Sequence, residues 1–429
     1  MGATTDWDRG PFLPARGRPQ TPVPRGVLLR SGATIAAAVG VGSLLQALLQ
    51  VALARVLDPP EYSALVSLFV VVTIFAVPTL GLQASVARDV ARLSAEGREP
   101  EAGAVVRGTL RKVALFALAA LVVGAALVAP LAVAFHVHRV GALVAAAVVV
   151  LATAALPVAW GGLQGSGRFS LLATGQVTWS GLRFVLALAL AAVGLGVAGA
   201  MAGIAVATLA VLVAVLAAQR PLLAAARHAD GPPPRVATPY TFAAAASLCA
   251  FAALTTLDVP TARLALDGNA AGAYSAASVG ARALLIVAVG ATTVLFPRVA
   301  TLGDVARERR HLRAGLTVVG GVGAVAVLVA AAIPGLLLRV VFGSGYGAAS
   351  AYLALLVLAM ALYGLVYVYA YHFLSLSRLR FWAVLAAALA AQLGLYAAFH
   401  ATGRELAVVQ ASVAAVLVLL CEIYERTAR

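Results

Sequence analysis

Polar residues break the chain at regular intervals into apolar windows of about 20 residues, the length a helix needs to cross a bilayer core. Within these windows polarity does not alternate every second residue, which sets aside a transmembrane barrel. The pattern predicts helices at residues 32–54, 62–82, 113–133, 140–162, 170–193 and 197–217 in the first half. The second half predicts them at 240–259, 273–296, 314–334, 347–371, 381–400 and 405–423. The fold class expected is therefore an all-α integral membrane protein with about 12 transmembrane helices. Between the windows, residues 83–112 and 298–313 carry Arg and acidic side chains on one side of a helical pattern and predict amphipathic inner-surface helices. Gly231-Pro232-Pro233-Pro234 cannot be helical and predicts a linker.

The second half repeats the first. Arg55, Tyr62, Arg88 and Arg168-Phe169 find counterparts in Arg263, Tyr274, Arg298 and Arg380-Phe381, at offsets of 208, 212, 210 and 212 residues. Glu61-Tyr62-Ser63-Ala64 answers Ala273-Tyr274-Ser275-Ala276. The domain reading is a tail at 1–31, a first six-helix lobe at 32–217, a cytoplasmic linker at 218–239 and a second lobe at 240–429. Six helices is an even number, so both lobes enter the membrane in the same direction, related by an axis along its normal. A two-fold repeat in so apolar a chain points to a transporter architecture with a shared central site.

Charge adds orientation. With the N-terminus inside, 24 of the 31 basic residues fall in inner segments and five in outer loops. That asymmetry predicts a multi-pass protein with both termini cytoplasmic, and the location expected is a bacterial plasma membrane. The net charge of +15 is thereby explained through topology and anionic lipid contact, without nucleic acid. With 62% hydrophobic and 11% charged residues, the chain is not a single soluble globule. Cys249 and Cys421 imply neither a disulfide framework nor a metal site, and His136-Val137-His138 has no supporting ligand nearby. The proline-broken first 31 residues predict a disordered cytoplasmic tail.

Arg183 and Arg282 stand inside predicted spans, about thirteen and nine residues from a span end. A central Arg costs roughly 2.5 to 3.5 kcal/mol to insert, so it faces a bundle interior or a wet cavity. Each lies on a polar stripe. Gln176, Ser180 and Arg183 follow i, i+4, i+7; Ser275, Ser278 and Arg282 follow i, i+3, i+7, as do Ser43, Gln46 and Gln50. Three such stripes suit one aqueous cavity that binds an anion; structural salt bridges are the alternative. Asp258, before Pro260, is read as a partner for Arg282 or Arg263, with an ion or proton relay as the other reading. Tyr363 and Tyr367, with Tyr371, are spaced to stack on sugar rings or to pack within the bundle. No phosphate-binding loop, nucleophile elbow or zinc cluster occurs in the sequence, so neither an enzyme nor a cofactor is expected.

Three stretches resemble a known family. Leu53-Ala54-Arg55-Val56-Leu57-Asp58-Pro59-Pro60-Glu61-Tyr62 is similar to the signature after the first helix of polysaccharide-biosynthesis flippases, with Asp58 in place of their Gly. Trp160-Gly161-Gly162-Leu163-Gln164-Gly165-Ser166-Gly167-Arg168-Phe169 resembles a turn of the same family. So does the pair Ala273-Tyr274-Ser275-Ala276-Ala277 and Leu295-Phe296-Pro297-Arg298. The family belongs to the multidrug/oligosaccharidyl-lipid/polysaccharide (MOP) exporter superfamily. The resemblance implies two lobes in a V around a cavity that exchanges access between membrane faces. It implies a polyprenyl-diphosphate-linked oligosaccharide as cargo, moved from the inner to the outer leaflet for cell-surface polysaccharide. Membrane lipids, and a polysaccharide polymerase or glycosyltransferases, are the further partners expected. A cation-coupled multidrug exporter of the same superfamily and a non-transporting scaffold that keeps the fold are the competing readings.

Overall fold

The computed structural model describes residues 25–134, 140–228, 239–295, 305–376, 378 and 380–427, and every regular element among them is helical. The first half holds α1 (Arg25–Val56), α2 (Pro59–Ala95), α3 (Glu99–Ala134), α4 (Val140–Gly165), α5 (Phe169–Leu190), α6 (Gly196–Ala218) and the short α7 (Arg220–Ala225). The second holds α8 (Pro239–Thr256), α9 (Asp258–Ala265), α10 (Gly268–Arg282), α11 (Leu285–Leu295), α12 (Val305–Ala332) and α13 (Pro334–Val341). It ends with α14 (Leu353–Ser375), α15 (Phe381–Ala398) and α16 (Gly403–Thr427). Most of the expected tail, His136–His138, the triple proline of the linker and Phe296-Pro297-Arg298 lie outside the described residues.

Ten stretches of the described residues are long and apolar enough to cross a membrane, which makes this a multi-pass membrane protein. Twelve were expected. One of the ten, Phe169–Ala218, contains both α5 and α6, and the 36-residue α3 is not among them. Two surface features are corrected. Residues 83–112 are not a separate amphipathic helix but the adjoining ends of α2 and α3, and from residue 305 the second such stretch is the start of α12. The polar residues there sit on helices that run on past the apolar window. Part of the expected linker is helical as α7.

Local chemistry sets the helix ends. Pro59 and Pro60 open α2, where no backbone N–H is needed, and Glu61 adds a negative charge to its first turn. The Asp267 carboxylate accepts from the N–H groups of Asn269 (3.0 Å) and Ala270 (2.9 Å) and caps α10. Gly167, at φ 71°, lets Arg168 N–H close back on Leu163 C=O (2.9 Å) in the turn between α4 and α5.

Small residues set the packing. A Cβ on Gly161 would meet the Gln83 carbonyl oxygen at 2.7 Å, and one on Gly165 the Ala87 oxygen at 2.6 Å. The constant sequence offset shows that α2 and α4 run in the same direction. Gly199 and Gly203 approach Leu190 and Leu186 in the opposite order, so α5 and α6 form an antiparallel hairpin. Both are Gly-x-x-x-Gly pairs, which let helix backbones touch where lipid offers no hydrophobic drive to associate.

α1, α2, α4, α5 and α6 pack on one another, as do α8, α10, α12, α14, α15 and α16, and α2 crosses between the groups to meet α8, α9 and α10. At that crossing the sequence repeat meets itself. Ser275 Oγ donates to Ser63 Oγ at 3.3 Å, and the two serines occupy equivalent positions in the repeat. Their neighbours Tyr62 and Tyr274 are fully buried, and among the described residues neither hydroxyl has a partner. Nearby, Tyr346 Oη donates to the Ala54 carbonyl (2.6 Å), and Arg55 donates to the carbonyls of Val341 (3.1 Å) and Val340. These bonds seal the bundles at the end where α1 stops and α2 and α10 begin.

Candidate functional site: a cavity between the two bundles

On the far side of that seal, a cavity of about 1400 Å³ lies between the bundles. The α1 and α5 stripes face it together. Ser43, Gln46 and Gln50 from α1 and Gln176, Ser180 and Arg183 from α5 all line it. Gly42 brings α1 close enough that a Cβ there would touch Ser180 Oγ at 3.0 Å. α4 adds Thr153 and Trp160, and α5 adds Trp179. The opposite wall is built of Val279 and Arg282 on α10, Leu284 and Ile286 beyond it, Val322, Val325 and Val329 on α12, and Phe342. The cavity is thus polar on one wall and, apart from Arg282, apolar on the other.

The two arginines differ in what holds them. Arg282 ends α10, where the helix breaks before α11. Its Nη2 donates to Asp258 Oδ1 (2.8 Å) and Ser278 Oγ (2.9 Å), and its Nε donates to the Thr255 carbonyl (2.9 Å). Ser278 also donates to Asp258. Asp258 and Ser278 are wholly buried. Asp258 opens α9 after the break that follows α8, and Pro260, which has no N–H to donate, stands two residues on. Arg282 therefore ties two helix breaks together through one ion pair. Arg183 has no such partner. Its guanidinium lies 4.5 Å from the centre of the Trp179 ring, and among the described residues no carboxylate pairs with it and its Nε is unbonded. An indole face attracts a cation without neutralising it.

Other expected site residues stand elsewhere. Ser278 serves the ion pair and does not line the cavity. Tyr363 and Tyr367 do not line it either. Tyr363 donates to Gln392 Oε1 (2.9 Å) in the core of the second bundle, and Tyr367 packs on Tyr371 with ring centres 4.6 Å apart. The reason is helical phase: α14 turns that face toward Phe251 of α8. Arg263 is buried in the last turn of α9 beside Gly268, away from the lining side chains.

Trp160 and Trp179 were not anticipated. They meet edge to face at 5.3 Å, and Trp179 Nε1 is anchored by Thr208 Oγ1 at 3.1 Å. The signal was present, because Trp179 falls on the same helical face as Gln176, Ser180 and Arg183.

A family model described as "Polysaccharide biosynthesis protein" matches residues 28–302. The chain belongs to that family. No curated protein matches the chain in sequence. Solved structures match it in fold. An inward-facing MATE multidrug resistance transporter of the MOP superfamily is 15% identical, with a TM-score of 0.68 over 90% of this chain and 96% of that one. The lipid II flippase MurJ in an inward closed conformation is 11% identical, with a TM-score of 0.67 over 92% and 87%. An outward-facing MATE transporter gives 16% and a TM-score of 0.58 over 95% and 98%. The fold of this family member is that of MOP-superfamily transporters and flippases, as the resemblance in the sequence implied.

Proposed function

We propose that this protein carries a polyprenyl-diphosphate-linked oligosaccharide from the inner to the outer leaflet of a bacterial plasma membrane by alternating access. The observation behind this reading is the two-sided cavity with an unneutralised guanidinium, Arg183, on its polar wall. A fork of N–H donors matches phosphate oxygens bidentately. The apolar wall suits a hydrocarbon tail. Val39 on α1 and Val322 and Val325 on α12 line the cavity yet are 49%, 42% and 62% exposed, a greasy margin along which a prenyl chain can leave for lipid. Among the described lining residues there is no carboxylate, which disfavours a cationic drug as cargo.

With the N-terminus cytoplasmic, the seal at the start of α2 and α10 closes the outer end and leaves an inward-facing state. Among the described residues the buried Tyr62 and Tyr274 hydroxyls have no partner, and each bond left unmade costs roughly 1 to 3 kcal/mol, which weakens that seal. The membrane potential supplies about 2.3 kcal/mol per charge per 100 mV, so an anionic head group moves outward downhill.

The test is translocation of a fluorescent polyprenyl-diphosphate saccharide in proteoliposomes, read by quenching of the outer leaflet. A rate equal to that of protein-free vesicles overturns the proposal. Alternation has its own test. Cysteines replacing Ser63 and Ser275, whose hydroxyl oxygens lie 3.3 Å apart, are introduced as a cross-linking pair in a chain freed of Cys249 and Cys421. Oxidation is expected to arrest translocation and reduction to restore it. Unchanged flux through the oxidised protein would count against rocking at this seam.

A further inference from the structure

Two helices at the sealed end of the cavity are finished by side chains of the opposite bundle. α1 stops because Pro59 and Pro60 stand four residues beyond Arg55 and Val56 and have no N–H to give, while Asp58 is already extended (φ −64°, ψ 153°). Leu57 N–H closes on the Leu53 carbonyl (2.9 Å), and the next carbonyl, that of Ala54, accepts from the Tyr346 hydroxyl (2.6 Å). Tyr346 belongs to the second bundle, in the 3-10 helix Ser344–Ala351, and is 3% exposed. α13 ends in the same manner. Gly343, at φ 109°, turns the chain so that its N–H closes on the carbonyls of Leu338 (3.2 Å) and Arg339 (3.1 Å). The last two carbonyls of α13, those of Val340 and Val341, accept from Arg55, in the last turn of α1. A cation there also meets the negative end of the helix. Each bundle therefore supplies the cap that the other needs. Ring contacts of Tyr346 with Tyr62 (5.9 Å, 75°) and Phe342 (6.1 Å, 62°) keep its hydroxyl in place.

We propose that these reciprocal caps are the latch of the outer gate, and that Arg55 and Tyr346 set how often it opens. This rests on the alternating-access reading and adds which bonds hold the inward-facing state. Carbonyls at a helix end need partners from outside the helix. While the bundles touch, side chains of the opposite bundle provide them. Once the bundles part at this end, water reaches both helix ends, and the two caps break in one step. Removing a donor leaves a carbonyl unmet in the closed state alone, because the open state hydrates it either way. The outward-open population then rises by the worth of that bond.

The experiment uses the full-length protein without Cys249 and Cys421, carrying Thr153→Cys on the cavity wall as a reporter. A membrane-impermeant maleimide is applied to right-side-out and to inside-out vesicles. The parent is expected to label fast from the inner face and slowly from the outer one. Tyr346→Phe is expected to raise the outer rate roughly 3- to 10-fold, the worth of one hydrogen bond. Arg55→Met should raise it by about as much, since solvent offsets part of its charge, and the two increases should multiply. Arg55→Lys, which keeps the charge but not the two-point contact, should fall between parent and Arg55→Met. An inner rate equal to the parent's shows that each variant has folded. An outer rate unmoved in both Tyr346→Phe and Arg55→Met overturns the latch, as does a parent that labels equally fast from both faces. Labelling needs no cargo, which separates the two claims. Normal translocation with unmoved labelling removes the latch alone, whereas raised labelling without any translocation by the parent removes the flippase reading alone.

Discussion

Arg183→Ala is expected to slow translocation of the diphosphate-linked cargo by a factor of roughly 30 to 5000 while leaving the protein inserted and no less stable. The loss follows from cutting a charge-assisted contact, which costs about 2 to 5 kcal/mol when one partner is truncated. The stability side follows from the surroundings of the side chain. Among the described residues no carboxylate pairs with Arg183; it rests on the Trp179 ring and lines the cavity. Its charge is a cost that the fold carries without a compensating bond. Alanine removes that cost, so thermal unfolding in detergent should shift upward or stay. Arg183→Lys should recover part of the flux, because it keeps the charge but not the bidentate fork. A structural role would show the reverse pattern, with lower stability and unaltered flux in the surviving protein. Proteoliposome flux measured beside a thermal melt decides between them.

Asp258→Ala is expected to act in the opposite sense. It strips Arg282 of its counter-charge in a buried setting and should cost about 3 to 5 kcal/mol of stability. The helix breaks after α8 and after α10 would lose their common tie, since Arg282 joins Asp258, Ser278 and the Thr255 carbonyl. Adding Arg282→Met to Asp258→Leu should return most of that stability, because an apolar pair of similar bulk replaces two charges. Unfolding of the four proteins in detergent forms a double-mutant cycle. A coupling near zero would show that the pair is incidental. Because Arg282 is already held by protein atoms, the double variant should keep more flux than Arg183→Ala does.

How far the site was legible depends on the helix in question. On α1 and α5 the polar stripes hold every Gln and Arg of the windows 32–54 and 170–193, and the structure sets Ser43, Gln46, Gln50, Gln176, Ser180 and Arg183 on one cavity wall. On α10 the stripe splits. Ser275 meets its copy at the seam, Ser278 serves Asp258, and Arg282 alone reaches the cavity. On α14 the tyrosines share a face, yet that face belongs to the interior of the second bundle. Periodicity says which side chains share a face and is silent on what the face meets.

The order of residues by itself determined the membrane helices, the internal repeat and the presence of two arginines at bilayer depth, because water, lipid and chain length act on each window separately. Only the tertiary structure decided that one arginine is latched to a carboxylate and the other lies open on a tryptophan. It also decided that Ser63 meets Ser275, its counterpart in the sequence repeat. Those outcomes turn on helix rotation and on breaks at Pro260 and after Arg282, which are settled by packing between segments far apart in the chain.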